Sequence, residues 1–267
     1  MVPPGRQMPP DPEAVEDVVS TGEAGVEGIP AHSARRPVFS LRPDREKVNP
    51  YAGRLHEYPD HIVSADEAKG RAGTWREVIR PWDEAAPDAP LFLEIGPGNG
   101  FFIQAMAQRH PEAAILGLEI RYKRVWLCGR KLSQVSARSA RVAHYHAGHL
   151  RDVVAAGELD RVYVNHPDPW PKKGHHRNRL VNPAFTAILG SLLRPGGTVT
   201  LKSDFYGYLP VMRDAFSEAP FDEVAFAEDL HRDGGVLFEE NIETNYEAKT
   251  LRRGDTVFAL RFRRRAL

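Results

Sequence analysis

The sequence predicts an α/β fold: a doubly wound, mostly parallel sheet of seven strands with helices on both faces. Three observations predict it. From residue 91 onward, short apolar runs of strand length alternate with helical patterns. A glycine cluster, Glu94-Ile95-Gly96-Pro97-Gly98-Asn99-Gly100, ends the first run and opens a helix. The second run ends near an acid, Glu119, 19 residues beyond Gly100. Strands that alternate with helices pair in parallel, because each crossover lays its helix on a face of the sheet.

The elements follow in order. Leu91-Phe92-Leu93-Glu94-Ile95 is a short apolar run before glycines, hence a buried strand. Residues 101–109 read as a helix, 114–120 as the second strand and 121–137 as a long helix. The third strand is expected over 142–145, a short helix over 149–156 and the fourth strand over 161–165. A helix over 182–193 stops at Arg194-Pro195-Gly196-Gly197, a turn signal. A strand over 198–202, a helix over 207–218 and strands over 221–226 and 256–262 complete the pattern, with no internal repeat. Upstream, residues 44–90 space Tyr51, Tyr58, Trp75 and Trp82 through polar sequence. They read as a lead-in that packs on the main domain, partly helical near 66–80. Residues 1–43 hold eight prolines, and residues 1–30 set one basic side chain, Arg6, against six acids. That composition predicts a disordered acidic tail. The expected organisation is a tail over 1–43 and one domain over 44–267.

Composition narrows the class further. An apolar fraction of 42% supports a sizeable core and excludes global disorder. The 36 basic and 36 acidic side chains cancel, so an argument for a nucleic-acid partner must come from charge distribution. The single cysteine, Cys128, excludes an intramolecular disulfide, and a reducing cytoplasm is the simplest reading. On its helix it reads as a core or helix-face residue. No apolar run approaches 18 residues and the start has no secretory pattern, so no membrane span or signal is expected. His110, His144 and His149 lack metal-ligand spacing, so no metal is expected. Monomer and homodimer both remain open.

The glycine loop and its acidic partner point to a nucleoside cofactor. Glycines allow a tight turn and close approach of a ligand to the backbone, and a helix N-terminus offers free N–H groups. A carboxylate at Glu119 can accept the ribose hydroxyls. A dinucleotide site needs Gly-x-Gly-x-x-Gly; here the third glycine comes one residue early and Phe101 takes its place. The spacing acid-x-Gly-x-Gly-x-Gly, on Glu94, Gly96, Gly98 and Gly100, instead resembles motif I of the class I S-adenosylmethionine methyltransferases. That resemblance implies a Rossmann-like methyltransferase fold, with Glu94 and the loop holding the cofactor's amino-acid end. The plain alternative is an ordinary glycine-rich turn.

After the fourth strand comes His166-Pro167-Asp168-Pro169-Trp170-Pro171-Lys172-Lys173-Gly174-His175-His176-Arg177-Asn178-Arg179-Leu180. Ligands of open α/β sheets sit beyond the carboxyl ends of the strands, which puts Asp168 near the cofactor. Prolines stiffen its surroundings, and Trp170 can wall a base pocket. The plain alternative is a solvated, proline-rigid loop. The run resembles the signature of the bacterial tRNA (guanine-N7)-methyltransferases, which methylate guanine 46 in the tRNA variable loop. Leu93 to Gly98 is similar to that family's cofactor loop, and Gly117-Leu118-Glu119-Ile120 to its second acidic motif. Lys202-Ser203-Asp204 resembles its Thr-Asp motif, with serine for threonine, and Thr244-Asn245-Tyr246-Glu247 its Thr-x-x-Glu motif. The likeness spans roughly residues 55–263.

The resemblance implies a cytoplasmic enzyme that uses S-adenosylmethionine on tRNA. Asp168 would be catalytic and would also bind the cofactor. Glu94, Gly96, Gly98, Gly100, Glu119 and His146 would bind the cofactor; Lys172, Asp204, Thr244, Asn245, Tyr246 and Glu247 would bind substrate. Two departures stand out. His146-Ala147 replaces the usual acid-alanine at the adenine ring, leaving Asp152 or the backbone to substitute, and Gly174 replaces a usual arginine. On residues alone, Asp204 also reads as an Asx turn, and Thr244 to Glu247 as a helix cap or exposed loop.

Charge distribution tests the RNA expectation. Residues 121–151 carry eight Lys or Arg and no acid, including Arg121, Lys123, Arg124, Arg130 and Lys131. Lys172, Lys173, Arg177, Arg179 and Arg194 form a second block, and Arg261, Arg263, Arg264 and Arg265 a third. Together they suggest a basic face; the plain alternative is three unrelated solvated surfaces. Other readings rank below. An amino methyltransferase acting on adenine or cytosine needs a second proline before the aromatic. A NAD-dependent oxidoreductase is disfavoured by Phe101. An RNA-binding protein with a degenerate cofactor site has only His146 in its favour.

Overall fold

The structure, a computed structural model, describes residues 49–233, 235 and 241–266. The acidic tail expected over 1–43 lies outside the described residues. In chain order the elements are β1 (Ile62–Val63), α1 (Ala65–Lys69), α2 (Trp75–Ile79), β2 (Leu91–Ile95), α3 (Phe101–Arg109), β3 (Ala114–Glu119), α4 (Tyr122–Gln134) and β4 (Ala140–His144). Then follow β5 (Leu159–Asn165), α5 (Pro183–Leu192), β6 (Leu193–Ser203), α6 (Leu209–Ser217), β7 (Phe221–Ala227), α7 (Leu230–Asp233), α8 (Asn245–Arg252) and β8 (Phe258–Arg264). The sheet order is β1-β4-β3-β2-β5-β6-β8-β7. β1 to β6 pair in parallel, and β8 runs antiparallel to β6 and β7.

This is the expected doubly wound sheet, with one strand more. β1 is two residues long, too short to alternate, and adds beside β4 through Ile62↔Val142. β6 begins earlier than expected. The turn at Arg194 to Gly197 is a bulge inside it, where pairing slips from Leu159↔Leu193 to Arg161↔Thr198. The helix expected over 149–156 is a 3-10 stretch, Ala147–Asp152, with non-helical backbone at His149.

β2 shows why the sheet carries two layers. Its side chains alternate between faces. Leu91, Leu93 and Ile95 join a core with Trp75, Phe185, Tyr208 and Phe216. Phe92 turns the other way, among Phe102, Met106 and Leu132 of α3 and α4. By the same alternation Glu94 faces α3, and this places an acid under the glycine loop. The lead-in is anchored by Trp75, which is fully buried and donates its indole N–H to the Val153 carbonyl at 2.5 Å. Arg76 adds an ion pair to buried Asp160 at 3.0 Å.

Strand direction corrects the expected basic face. β8 enters the sheet opposite Ser203, next to the carboxyl ends of the parallel strands, and runs away from them to Arg263 opposite Thr198. Arg263, Arg264 and Arg265 therefore lie at the far end. Arg265 pairs with Asp222, and Arg194 with Asp160. Only the block on α4 and the part of the second block that follows β5 directly, Lys172 to Arg179, flank the carboxyl ends. Among the described residues no helix is long and apolar enough to cross a membrane, and no group of three or more His, Cys, Asp and Glu could hold a metal ion.

Candidate active site

Beyond Ile95 the chain turns through three left-handed glycines, Gly96, Gly98 and Gly100, with φ of 71°, 57° and 81°. The Gly96 N–H donates to the Leu118 carbonyl at 2.9 Å, tying the loop to β3. At Gly100 glycine is required twice over: φ is positive, and a Cβ would stand 2.9 Å from the Cys128 Cα on α4. Cys128 is fully buried there, and burial raises its thiol pKa well above the ordinary value. α3 then starts at Phe101, leaving its first N–H groups without helical partners.

An open cleft of about 310 Å³ lies over this loop, within the range of about 300–1,000 Å³ usual for small-molecule sites. Glu94, Gly96, Gly98, Asn165, His166 and Asp168 line its floor and rim. Thr244, Asn245, Tyr246 and Lys249 line the side contributed by α8. Asp168, Thr244, Asn245 and Tyr246 thus meet the glycine loop as expected. Gly100, Glu119, His146, Lys172, Asp204 and Glu247 do not line the cleft.

Glu94 is 3% exposed and accepts a hydrogen bond from Asn165 Nδ2 at 3.1 Å. Its second oxygen is buried with no hydrogen-bond partner. Burial pushes its pKa up to about 8, against the pull of Asn165 and Lys202. A buried acceptor of this kind suits a cationic N–H group. Glu119 is knit into the backbone instead. Its carboxylate accepts from Gly98 N at 3.1 Å, Ile120 N at 2.9 Å and Arg121 N at 3.0 Å. Three of its roughly four acceptor positions are therefore taken. Burial raises its pKa, and these N–H groups together with Arg124 oppose the rise. Arg124 itself reaches over Gly98 and lines the cleft. On sequence it belonged only to the basic face.

His146 accepts from the Gly148 N–H through Nδ1 at 2.9 Å, and burial lowers its pKa. Asp152, the expected substitute for the missing acid, is engaged by the Tyr145 hydroxyl at 2.9 Å.

The Asp168 loop is held from behind. Arg179 is buried and donates to the Pro169 carbonyl at 2.7 Å and to the Trp170 carbonyl at 3.4 Å, with its guanidinium 5.0 Å from the centre of the Tyr208 ring. It is a clamp within the protein, not part of an open basic face. Asp168 is exposed, as are Lys172, Lys173 and Arg177 on the 3-10 turn that follows.

The α8 side is fastened through a buried charge cluster. The Lys202 ammonium donates to Glu247 Oε2 at 2.5 Å, the Ile242 carbonyl at 2.8 Å and Asn241 Oδ1 at 3.1 Å. Glu247 is fully buried, and its other oxygen meets His231 Nε2 at 2.7 Å. Burial works to raise the Glu247 pKa, but His166 first, then Lys202 and Asn241, hold it well below the usual carboxylate range. Glu247 also closes a capping box with Thr244. Thr244 to Glu247 is thus a helix cap whose first three residues face the cleft while the fourth points inward. Asp204 accepts from the Tyr246 hydroxyl at 3.0 Å and the Thr250 hydroxyl at 3.3 Å, so it holds a cleft residue without entering the cleft. His166, which sequence reading left without a role, sits between these groups. Its Nδ1 is 3.7 Å from Asp204 and its Nε2 3.9 Å from Glu247.

Comparison with known proteins agrees with this geometry. A family profile described as "Putative methyltransferase" matches residues 88–260. The tRNA (guanine-N(7)-)-methyltransferase of Bacillus licheniformis is 32% identical, over 80% of this chain and 96% of that protein. The protein of the same name from Listeria monocytogenes is 34% identical, over 81% of this chain and 96% of its own length. Among solved structures, the 16S rRNA methyltransferase KamB superposes with a TM-score of 0.51 at 14% identity, covering 71% of this chain and 92% of that one, a likeness of fold. With the glycine loop, the Asp168 segment and the capped α8 gathered on one cleft, the chain belongs to the tRNA (guanine-N(7)-)-methyltransferase family.

Proposed function

We propose that this protein transfers a methyl group from S-adenosylmethionine to N7 of a guanine in tRNA, at position 46 of the variable loop, in the cytoplasm. The observation that supports it most is the shared cleft. Glu94, with its open acceptor, and Asp168 lie at the carboxyl ends of adjacent strands β2 and β5. When bound, the cofactor supplies an electrophilic methyl group on a sulfonium. Glu94 would take its ammonium, and the Gly96–Gly98 backbone would carry its body, with Glu119 left one acceptor for a ribose hydroxyl. His146 is the residue proposed at the adenine.

Guanine N7 carries a lone pair and no proton, so no side chain need act as a base. The protein's task is alignment. Asp168 would accept hydrogen bonds from the guanine N1–H and amino group, and its charge offsets the cation that forms. Thr244, Asn245 and Tyr246 would close over the base, with Asp204 and Glu247 holding them in place. Lys172, beside Lys173 and Arg177, would take phosphates. Incubation with tritiated S-adenosylmethionine and unmodified bulk tRNA, followed by nucleoside analysis, tests the proposal. Label is expected in 7-methylguanosine. Label in another nucleoside overturns the Asp168 scheme.

Two expected outcomes follow from the charges. The first concerns pH. Glu94 is mostly protonated in the free protein at pH 7, because burial holds its pKa near 8. An ammonium at Oε2 favours the ionised form, so binding releases a proton. Cofactor affinity is then expected to rise with pH, by up to about tenfold per unit below pH 8. It turns down once the ligand's own amine titrates, near about 8. Calorimetry from pH 6 to 9 reads this slope, and Glu94→Gln is expected to flatten it. The second concerns salt. Lys172→Ala and Lys173→Ala are each expected to lower the slope of log affinity for tRNA against log salt by about one. Cofactor affinity is expected to stay unchanged, as filter binding and calorimetry would report.

A further inference from the structure

Among the described residues, buried polar atoms without a hydrogen-bond partner concentrate in the cleft. Glu94 Oε2, Asn165 Oδ1 and both ring nitrogens of His166 are four of the seven such atoms, and all three residues line it. Leaving such an atom unpaired is costly, so a cluster of them calls for an explanation. The His166 nitrogens face carboxylates just beyond hydrogen-bond reach. The Ile103 N–H at the start of α3 also bears on the Glu94 carboxyl, yet neither Glu94 Oε2 nor Asn165 Oδ1 has a hydrogen-bond partner.

These two atoms belong to one unit. Asn165 Nδ2 donates to Glu94 Oε1 at 3.1 Å, although 71 residues separate the side chains. With Glu94 ionised, this bond fixes the amide orientation. Reversed, it would set an amide oxygen against a carboxyl group whose own proton, when present, would be the only donor between them. Once an ammonium holds Glu94 ionised, the carboxylate only accepts, so the amide nitrogen faces it and the amide oxygen is the open acceptor. One strand thus offers a carboxyl oxygen, the next strand an amide oxygen, each buried and each lacking a donor.

We propose that Asn165 Oδ1 and Glu94 Oε2 form a two-acceptor cradle for the ammonium of the cofactor's methionine part, with Asn165 a binding residue in its own right. This rests on the methyltransferase reading above. An ammonium fits better than a base. It carries three donors on one nitrogen, which suits acceptors arriving from two strands. Its charge offsets that of a buried carboxylate, which a neutral guanine N–H does not. An amide also suits the second position better than an acid. It adds an acceptor without a second negative charge, and its NH₂ group fixes the Glu94 rotamer.

The test uses two ligands. S-Adenosylhomocysteine carries the ammonium, whereas 5′-methylthioadenosine keeps the nucleoside and lacks the amino-acid group. Calorimetry on the full chain is expected to show Asn165→Leu weakening S-adenosylhomocysteine by about 10- to 100-fold. 5′-Methylthioadenosine is expected to bind as to the wild type. Asn165→Asp keeps an oxygen in place and is expected to restore S-adenosylhomocysteine to within about tenfold. Equal weakening of both ligands, or a loss in Asn165→Asp as deep as in Asn165→Leu, overturns the cradle. So does unchanged S-adenosylhomocysteine affinity with a raised KM for tRNA, which would assign Asn165 to the guanine. If the wild type binds neither ligand, the methyltransferase reading itself fails, and that result is separate from the others.

Discussion

Asp168→Ala is expected to lower kcat/KM for tRNA by about 10²- to 10⁴-fold while S-adenosylhomocysteine binds as to the wild type. Asp168 is exposed on the cleft rim, so its loss leaves no cavity and no stranded partner in the core. What it would remove, on the proposed scheme, is a pair of charge-assisted hydrogen bonds to guanine, each contributing about 1.5–3 kcal/mol. Two such bonds account for the expected range. Asp168→Asn should be nearly as damaging, because an amide presents an N–H where the base also presents one. Single-turnover methylation with saturating cofactor separates this effect from binding. Turnover at the wild-type rate in Asp168→Ala would remove the residue from the mechanism.

Lys202→Met is expected to destabilise the protein by about 3–5 kcal/mol, because it strands the Glu247 carboxylate in the core. For a chain of this size that corresponds to a fall in Tm of about 6–20 °C. Lys202 and Glu247 are both buried, and the ammonium's three acceptors all belong to the segment that carries α8. The methionine side chain fills the space of the lysine stem, so little of the loss would come from packing. Adding Glu247→Gln, which retains an acceptor for the Thr244 N–H, is expected to recover part of it. An unfolding curve unchanged in the single variant would show that this pair does not anchor the helix.

Local sequence signals carried the layered sheet and half of the site. The run Leu91 to Ile95, the glycines and Glu119 are contiguous or regularly spaced, and their placement in the structure follows from strand geometry. Asp168 was legible because a proline-rich segment after a strand must lie at the carboxyl end of the sheet. What was not legible depends on distance across the fold. Asn165 matters through Glu94, and Lys202 through a helix more than 40 residues later. For Thr244 to Glu247 a cap and a site segment stood as competing readings, yet the capping box also lines the cleft, so the first does not exclude the second. The three arginine-rich blocks looked equivalent until strand direction carried one of them to the opposite end of the sheet.

The backbone around Asp168 bends through two non-glycine residues in the left-handed region, His166 at φ 50° and Trp170 at φ 41°. Each such residue costs about 1–3 kcal/mol, and it persists only where its neighbours over-determine it. Here the neighbours are Arg179, which grips the Pro169 and Trp170 carbonyls, and the His166 ring wedged against Tyr246 at 4.7 Å between ring centres. The cost of ordering the Asp168 loop therefore falls on the folding equilibrium and not on any binding equilibrium. On the proposed scheme, a guanine arriving from solution would meet an acid already in position, and little conformational entropy would be lost on the protein's side when the two engage.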